Sequence, residues 1–358
     1  MLGQYYKRGY RPRDFAKQRA LMTKPMRGPR HQGTTRHRAF VTAPMRGPGF
    51  EKLKQLAEVV YEPWTEQEPL KLYDGPALAE RLEKERADVA VVEADFVSGP
   101  VWDLPLLAVA ATRGDPNNVD VAGATSAGIP VLRTPARNAD AVAELALGLS
   151  IALARHVLPA DRDVRQNEVF RDGTIPYQRF RGFELAGRRA AVIGYGAVGR
   201  ALAWRLRALG MDVEPYDPYV AEAGNDMEAA VRGADLVSLH AAVTPETVGF
   251  FGREQFAWMR PGSLFLNTAR AKLHDMDALV EALQSGHLGG AALDHFEGEV
   301  LPERHPLTSM PNVVLTPHIG GATAETEARG AQTVADDLEL LFAGQHPHNV
   351  VNPEVLAR

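Results

Sequence analysis

From residue 39 onward, short apolar runs alternate with amphipathic stretches, each bounded by glycine, proline or a small polar cluster. Phe40-Val41 precedes a Pro-Gly turn, and Phe50, Leu53, Leu56 and Val60 then recur at helical spacing. Residues 88–92, 106–111 and 129–132 are short and apolar, which predicts strands, with helical stretches at 75–86 and 121–127 between them. After Asn138, a helix N-cap by type, a long apolar helix is expected from Ala139 to about Val157. Residues 162–187 are polar and mixed, with Pro176 inside them. Strands then recur at 236–240, 263–267, 291–294 and 313–316, separated by helices near 226–232, 253–259 and 275–285, and a last helix covers about 323–342. Such alternation implies parallel sheets wrapped by helices.

One stretch says more. Ala190-Ala191-Val192-Ile193 breaks into Gly194-Tyr195-Gly196-Ala197-Val198-Gly199 and resumes with helical spacing, and a further apolar run from Met211 to Tyr216 ends in Asp217. This reads as strand, tight turn, helix and strand. Gly194 permits the turn, Gly196 lets the backbone approach a pyrophosphate at the helix N-terminus with Ala197 and Val198, and Gly199 allows close helix packing. Asp217 stands where an acid would bond a ribose 2′-hydroxyl and repel a 2′-phosphate, which points to NAD.

At 358 residues the chain exceeds the usual single core, and its 45% apolar content suffices for two packed interiors. It has no cysteine, which excludes disulfides, thiolate metal sites and cysteine nucleophiles and agrees with a cytoplasmic location. The longest apolar stretch, 141–154, contains Glu144 and is too short to span a bilayer, so no membrane partner is expected. Residues 1–38 hold eleven Lys or Arg and one acid, Asp14, whereas the remainder is net −15. Rich in Arg, Gly and Pro, this segment reads as a disordered, solvated extension ahead of a nucleic-acid arm or a transit-type presequence. A nucleic-acid partner is not expected.

Three polar residues follow late strands: Arg270, Glu299 and His318. An arginine offers a planar fork that grips a carboxylate and polarises an adjacent carbonyl. A histidine can protonate that oxygen while hydride arrives at carbon, and a carboxylate on the far imidazole nitrogen fixes the tautomer and favours the imidazolium. His346-Pro347-His348 has a spacing a metal could use but lacks acidic or thiolate neighbours, so no metal is expected.

With these residues in place the sequence resembles the D-isomer-specific 2-hydroxyacid dehydrogenases, most closely their phosphoglycerate-dehydrogenase-like members, over about residues 39–352. The matching phrases include residues 134–144, the glycine turn, Tyr216-Asp217-Pro218-Tyr219, Thr244-Pro245-Glu246-Thr247, Asn267-Thr268-Ala269-Arg270, Ala292-Leu293-Asp294-His295-Phe296 and residues 315–321. The resemblance implies two doubly wound α/β domains: an NAD-binding Rossmann domain at 138–322, inserted in a flavodoxin-like substrate domain at 39–137 and 323–358. It implies hydride transfer between NAD(H) and a D-2-hydroxy acid or its 2-oxo acid in the cleft between them. Arg270 would bind substrate, Glu299 orient the histidine, and His318 act as acid and base. Asp294 would lie near the nicotinamide carboxamide, with Thr268 and Ala269 near its ring. The family also dimerises through the region of the polar arm, which implies a homodimer.

The chain departs from the family's pattern at several points. Ala271 and Lys272 follow Arg270 where Gly and a small residue or Pro are usual, and Val300 follows Glu299 where Pro is usual. The glycine-rich loop that meets the substrate carboxylate is here residues 112–118, which keeps Arg113 and Gly114 but adds Asp115 and Pro116. These changes bear on substrate identity more than on reaction type. A second reading from another class is an NAD(H)-sensing protein resembling the corepressors built on this fold. Formate-dehydrogenase-like chemistry is a third, weakened because that family pairs its histidine with Gln where Glu299 stands.

Overall fold

The computed structural model describes residues 36–357. Most of the extension expected at 1–38 therefore lies outside the described residues, and its last two residues, His37 and Arg38, already belong to the first strand. The elements in chain order are β1 (His37–Val41), α1 (Gly47–Leu56), β2 (Ala57–Tyr61), α2 (Gly75–Glu85), β3 (Val89–Val92), β4 (Ala108–Ala111), α3 (Val121–Ala127) and β5 (Val131–Leu132). They continue with α4 (Ala139–Ala154), α5 (Val157–Arg165), α6 (Pro176–Arg179), β6 (Arg189–Ile193), α7 (Ala197–Ala208), β7 (Asp212–Tyr216), α8 (Met227–Val231) and β8 (Leu236–Leu239). The last are α9 (Arg253–Trp258), β9 (Ser263–Asn267), α10 (Met276–Gln284), β10 (Leu288–Leu293), β11 (Val313–Leu315) and α11 (Ala324–Phe342). Contacts divide them into two compact units, one over residues 138–322 and the other over the described residues up to 137 together with those from 323.

The discontinuous unit is a five-stranded parallel sheet in the order β2-β1-β3-β4-β5, with Phe40 registered against both Val60 and Ala90. This is the flavodoxin-like doubly wound order. Its central strands are apolar along their whole length because helices cover both faces. Asp74 and Asp120 cap α2 and α3 by accepting from Ala77 and Gly123 amides, both at 3.0 Å. One face is closed by α11, whose Ala331, Val334, Ala335 and Leu338 pack with Val41, Phe50 and Leu53. The crossing of α1 and α11 is close enough that a Cβ on Gly49 would lie 2.3 Å from the Gln332 backbone. At the far edge, residues after α11 run antiparallel to β5, with Val351 N–H donating to Val131 O at 2.8 Å, and so cover that sheet edge.

The unit of residues 138–322 holds a six-stranded parallel sheet, β11-β10-β9-β8-β6-β7. Beyond β7 the edge is extended by a single parallel bridge between Tyr216 and Gly224. Pro215 sits on this edge strand, where a missing N–H is tolerated. One face packs Phe251, Phe256, Phe265 and Leu279. The other is covered by α4 and α7 through Leu149, Leu153, Leu202 and Leu206.

Three local expectations are corrected. Leu56 and Val60 do not share a helix: α1 ends at Leu56 and β2 begins at the next residue. The long helix breaks at His156, whose φ of 52° is left-handed, and α5 leaves α4 at 67°. Asn138 occupies the N-cap position of α4 but makes no side-chain capping bond. Among the described residues no single helix is long and apolar enough to cross a membrane.

The α1–α11 crossing yields a stability prediction. Gly49→Ala must push two backbones apart and should destabilise the protein by ~1–3 kcal/mol, read as a lowered midpoint in urea denaturation; an unchanged midpoint would show that the helices separate freely.

Candidate active site

Every parallel strand of the 138–322 unit ends on the same side of its sheet, where ligands gather in open α/β folds. At the end of β6, Gly194 has φ 94°, and a Cβ there would lie 2.5 Å from the His240 and Ala241 backbone. A Cβ on Gly199 would lie 2.0 Å from Gly194 O, so the turn and the start of α7 are locked together by the absence of side chains. Gly196 is different. Its Cβ would meet nothing within 4 Å, and no side chain caps the helix it begins. The first amides of α7, from exposed Ala197 and half-buried Val198 to Gly199, thus border open space suited to an anion. Asp217, at the end of β7, accepts from Tyr195 N–H through Oδ2 and from Tyr219 N–H through Oδ1, both at 2.9 Å. The acid therefore sits against the glycine turn.

At the end of β9, buried Asn267 builds the turn that carries Arg270. Its Oδ1 accepts from Ala269 N–H at 3.0 Å, and its Nδ2 donates to Arg270 O at 2.8 Å and to His274 Nδ1 at 2.9 Å. Three bonds fix the amide's orientation, so His274 must present a bare Nδ1. Burial pushes His274 down to about 4, which keeps that nitrogen an acceptor. Arg270 is exposed and donates to Ala269 O at 2.7 Å. Neighbouring Thr268 is buried, and its Oγ1 has no partner among the described residues.

The ends of β10 and β11 bring Asp294, Glu299 and His318 together. Asp294, 1% exposed, accepts from Thr316 Oγ1 at 2.6 Å, Ile319 N–H at 2.9 Å and Gly320 N–H at 2.7 Å. A Cβ on Gly320 would lie 2.9 Å from Asp294 Oδ2, so only glycine allows this approach. His318 and Glu299 both adopt left-handed backbone, φ 56° and 63°. Such residues persist where surroundings over-determine them, as the Asp294 bonds to Ile319 and Gly320 do at His318. His318 Nδ1 lies 3.0 Å from Glu299 Oε1. A carboxylate only accepts, so Nδ1 carries the proton and Nε2 is left for other chemistry. His318 is also the more exposed of the pair.

A third group was missed in the sequence. His295 Nε2 lies 3.4 Å from the same Glu299 oxygen, and its ring is 4.2 Å from that of His318. Burial pushes His295 down to about 4, with the charges of His318 and Arg270 adding to the effect and Glu299 opposing it. This places Arg270 within electrostatic reach of the cluster. Asn267 and His274 were likewise unassigned; the signal was their polar type at buried positions. Arg113 and Gly114 belong to the other unit, after β4. There Arg113 donates to Glu93 O at 2.7 Å and to Asn117 Oδ1 at 2.9 Å.

Residues 147–320 match the family model described as D-isomer specific 2-hydroxyacid dehydrogenase, NAD binding domain. The chain is 36% identical over 288 residues to the Bacillus subtilis protein YoaD, named as a putative 2-hydroxyacid dehydrogenase, covering 78% of this chain and 83% of that one. It is 37% identical over 245 residues to D-3-phosphoglycerate dehydrogenase of Methanocaldococcus jannaschii, covering 66% of this chain and 45% of that one, so it spans about half of that relative's length. The crystal structure of the TT0316 protein from Thermus thermophilus superposes with a TM-score of 0.75 at 33% identity, covering 88% of this chain and 99% of that one.

The buried histidines predict an acid limit. Between about pH 6.5 and 4 the unfolded chain binds a proton that folded His274 refuses, so stability falls as pH drops through that window, by at most ~3 kcal/mol for this residue. His240 and His295, also pushed down to about 4, add to the slope. His274→Gln offers Asn267 an acceptor without a titrating proton, and its urea midpoint should vary less with pH than the wild type's over this range.

Proposed function

Because the chain belongs to the D-isomer specific 2-hydroxyacid dehydrogenase family, we propose that Arg270, Glu299 and His318 carry out its reaction, the NAD-dependent interconversion of a D-2-hydroxy acid and its 2-oxo acid. The observation that carries this assignment is the 3.0 Å contact between His318 Nδ1 and Glu299 Oε1, which leaves Nε2 to exchange a proton with substrate. In the reducing direction Arg270 holds the substrate carboxylate and polarises the ketone oxygen. NADH, when bound, supplies the hydride to C2. His318 Nε2 then gives its proton to the oxygen, and Glu299 stabilises the charge on the imidazole before that transfer. In the oxidising direction neutral His318 takes the hydroxyl proton.

The chain's own residues fit the dinucleotide. The open space at Gly196 and the uncapped start of α7 suit a pyrophosphate held by the amides of Ala197, Val198 and Gly199. Asp217 retains lone pairs for ribose hydroxyls beyond its two amide bonds, and the Thr268 hydroxyl, buried beside Ala269 at the end of β9, has no partner among the described residues. Asp294 fixes the His318 turn through its bonds to Ile319 and Gly320, and its Oδ2, with a single amide bond, keeps acceptor capacity for the nicotinamide carboxamide near which the family resemblance puts it.

The companion proposals are a homodimer and a cytoplasmic location. The dimer is supported by apolar side chains exposed along one stretch of the 138–322 unit, namely Val157, Leu158, Val164, Phe170, Ile175 and Tyr177. The location is supported by the absence of cysteine from the chain.

NADH oxidation measured against glyoxylate, hydroxypyruvate, pyruvate and phosphohydroxypyruvate should reveal a substrate. On the best of them His318→Ala should lose ~10²–10⁴-fold in turnover, while Arg270→Ala should impair both KM and kcat. Near-wild-type turnover in His318→Ala would overturn the assignment.

Light scattering across micromolar concentrations should give twice the chain mass, and Val164→Glu should shift it toward the monomer; a wild type that is monomeric throughout rules out the dimer.

A further inference from the structure

The proton path of Glu299 and His318 has no use for a second imidazole, yet His295 directs Nε2 at the same carboxylate oxygen. One donor atom from each of His295, Glu299 and His318 lies within 4.8 Å of the other two, and Glu299 Oε1 is 3.4 Å from His295 Nε2 and 3.0 Å from His318 Nδ1. A tetrahedral zinc-class ion bound to nitrogen and oxygen at about 2.0–2.2 Å sets adjacent donors about 3.3–3.6 Å apart. The His295–Glu299 separation matches that spacing and the His318–Glu299 pair is a little closer, drawn together by the proton between them, so small shifts would set the three around one small cation. The donor types agree: imidazole and carboxylate suit zinc, cobalt and nickel, whereas calcium and magnesium take oxygen alone. His295 is half-buried, and its Nε2 faces the Glu299 carboxylate at 3.4 Å. His318 and Glu299 are more exposed and leave an entry path and room for water as a fourth ligand.

We propose that His295, Glu299 and His318 form a binding site for one divalent ion of the zinc class, and that its occupation inhibits the enzyme. Binding displaces the proton from His318 Nδ1 and withdraws Glu299 from it. That proton moves to Nε2, and with a cation on Nδ1 the ring neither gives it up readily nor accepts a second, so it cannot cycle between acid and base. Arg270 nearby opposes the cation, and with three protein ligands the site is a reversible one, weaker than a four-ligand structural centre. The inhibitory half rests on the proposed role of His318; the binding half does not.

The test uses the full chain after treatment with a chelator that is then removed. Co²⁺ titration should produce a visible absorption band that saturates at one ion per chain, and Zn²⁺ should abolish the band by displacement. In a parallel assay Zn²⁺ should slow NADH oxidation, with EDTA restoring the rate, each protein being compared with its own metal-free rate. His295→Phe keeps a ring against His318 and His295→Gln keeps a polar group; both should weaken Co²⁺ binding and Zn²⁺ inhibition by at least ~10-fold. Wild type that gives no saturable band, or variants that bind Co²⁺ as tightly as wild type, would overturn the site. A saturating band in a protein that reduces none of the oxo acids would support this site while sinking the catalytic assignment.

Discussion

A buried carboxylate is costly unless its charge is met by hydrogen bonds, and Asp294 meets that requirement with the backbone of the turn it serves. The amides of Ile319 and Gly320 and the hydroxyl of Thr316 converge on its two oxygens. The arrangement works in both directions. The amides make burial of Asp294 tolerable, and Asp294 holds His318 in a left-handed conformation that a free loop would abandon. The position of His318 beside Glu299, and with it the whole proton path, follows from this clamp.

The same device recurs along the sheet. Asp217 holds Tyr195 in the glycine turn, and Asn267 holds Ala269 and Arg270 while His274 holds Asn267. At three strand ends, a polar side chain close in sequence to its strand is tied to the backbone of the segment that carries the chemistry. Sites built this way inherit the rigidity of the sheet, which proton and hydride transfer demand because reacting groups must be held within fractions of an ångström.

The sequence revealed the architecture because strand and helix periods differ and because glycine has few substitutes. The run before Gly194 and the strand before Arg270 are apolar and bounded by turns, so both were readable. The failures have physical causes. Val60 lies four residues after Leu56 and satisfies a helical period by coincidence, which hid the start of β2 at Ala57. The break at His156 did have a local signal that the apolar run masked: Pro159 lacks the N–H that would bond back to Arg155, and its ring crowds that carbonyl, so the helix cannot run on unbroken. Glu299 and His318 drew attention as charged and titratable groups after strands, but their separation of 3.0 Å depends on how β10 and β11 pair, which no local pattern specifies. His295 stood between Asp294 and Phe296, just past a strand, and gave no sign that its ring would meet that of His318.

The unit formed by residues 36–137 and 323–357 has an implication for how the chain is made. On the ribosome the strands bearing Val41 and Val89 and the helix bearing Leu53 emerge early, but the helix that covers them, with Ala331, Val334 and Leu338, is translated only after the entire intervening unit. At ordinary elongation speeds that interval is on the order of tens of seconds. Throughout it an apolar sheet face stands open to solvent and to other nascent chains. The inserted unit, contiguous in sequence, can complete its fold first, so synthesis rather than stability decides which half is exposed to chaperones and to aggregation.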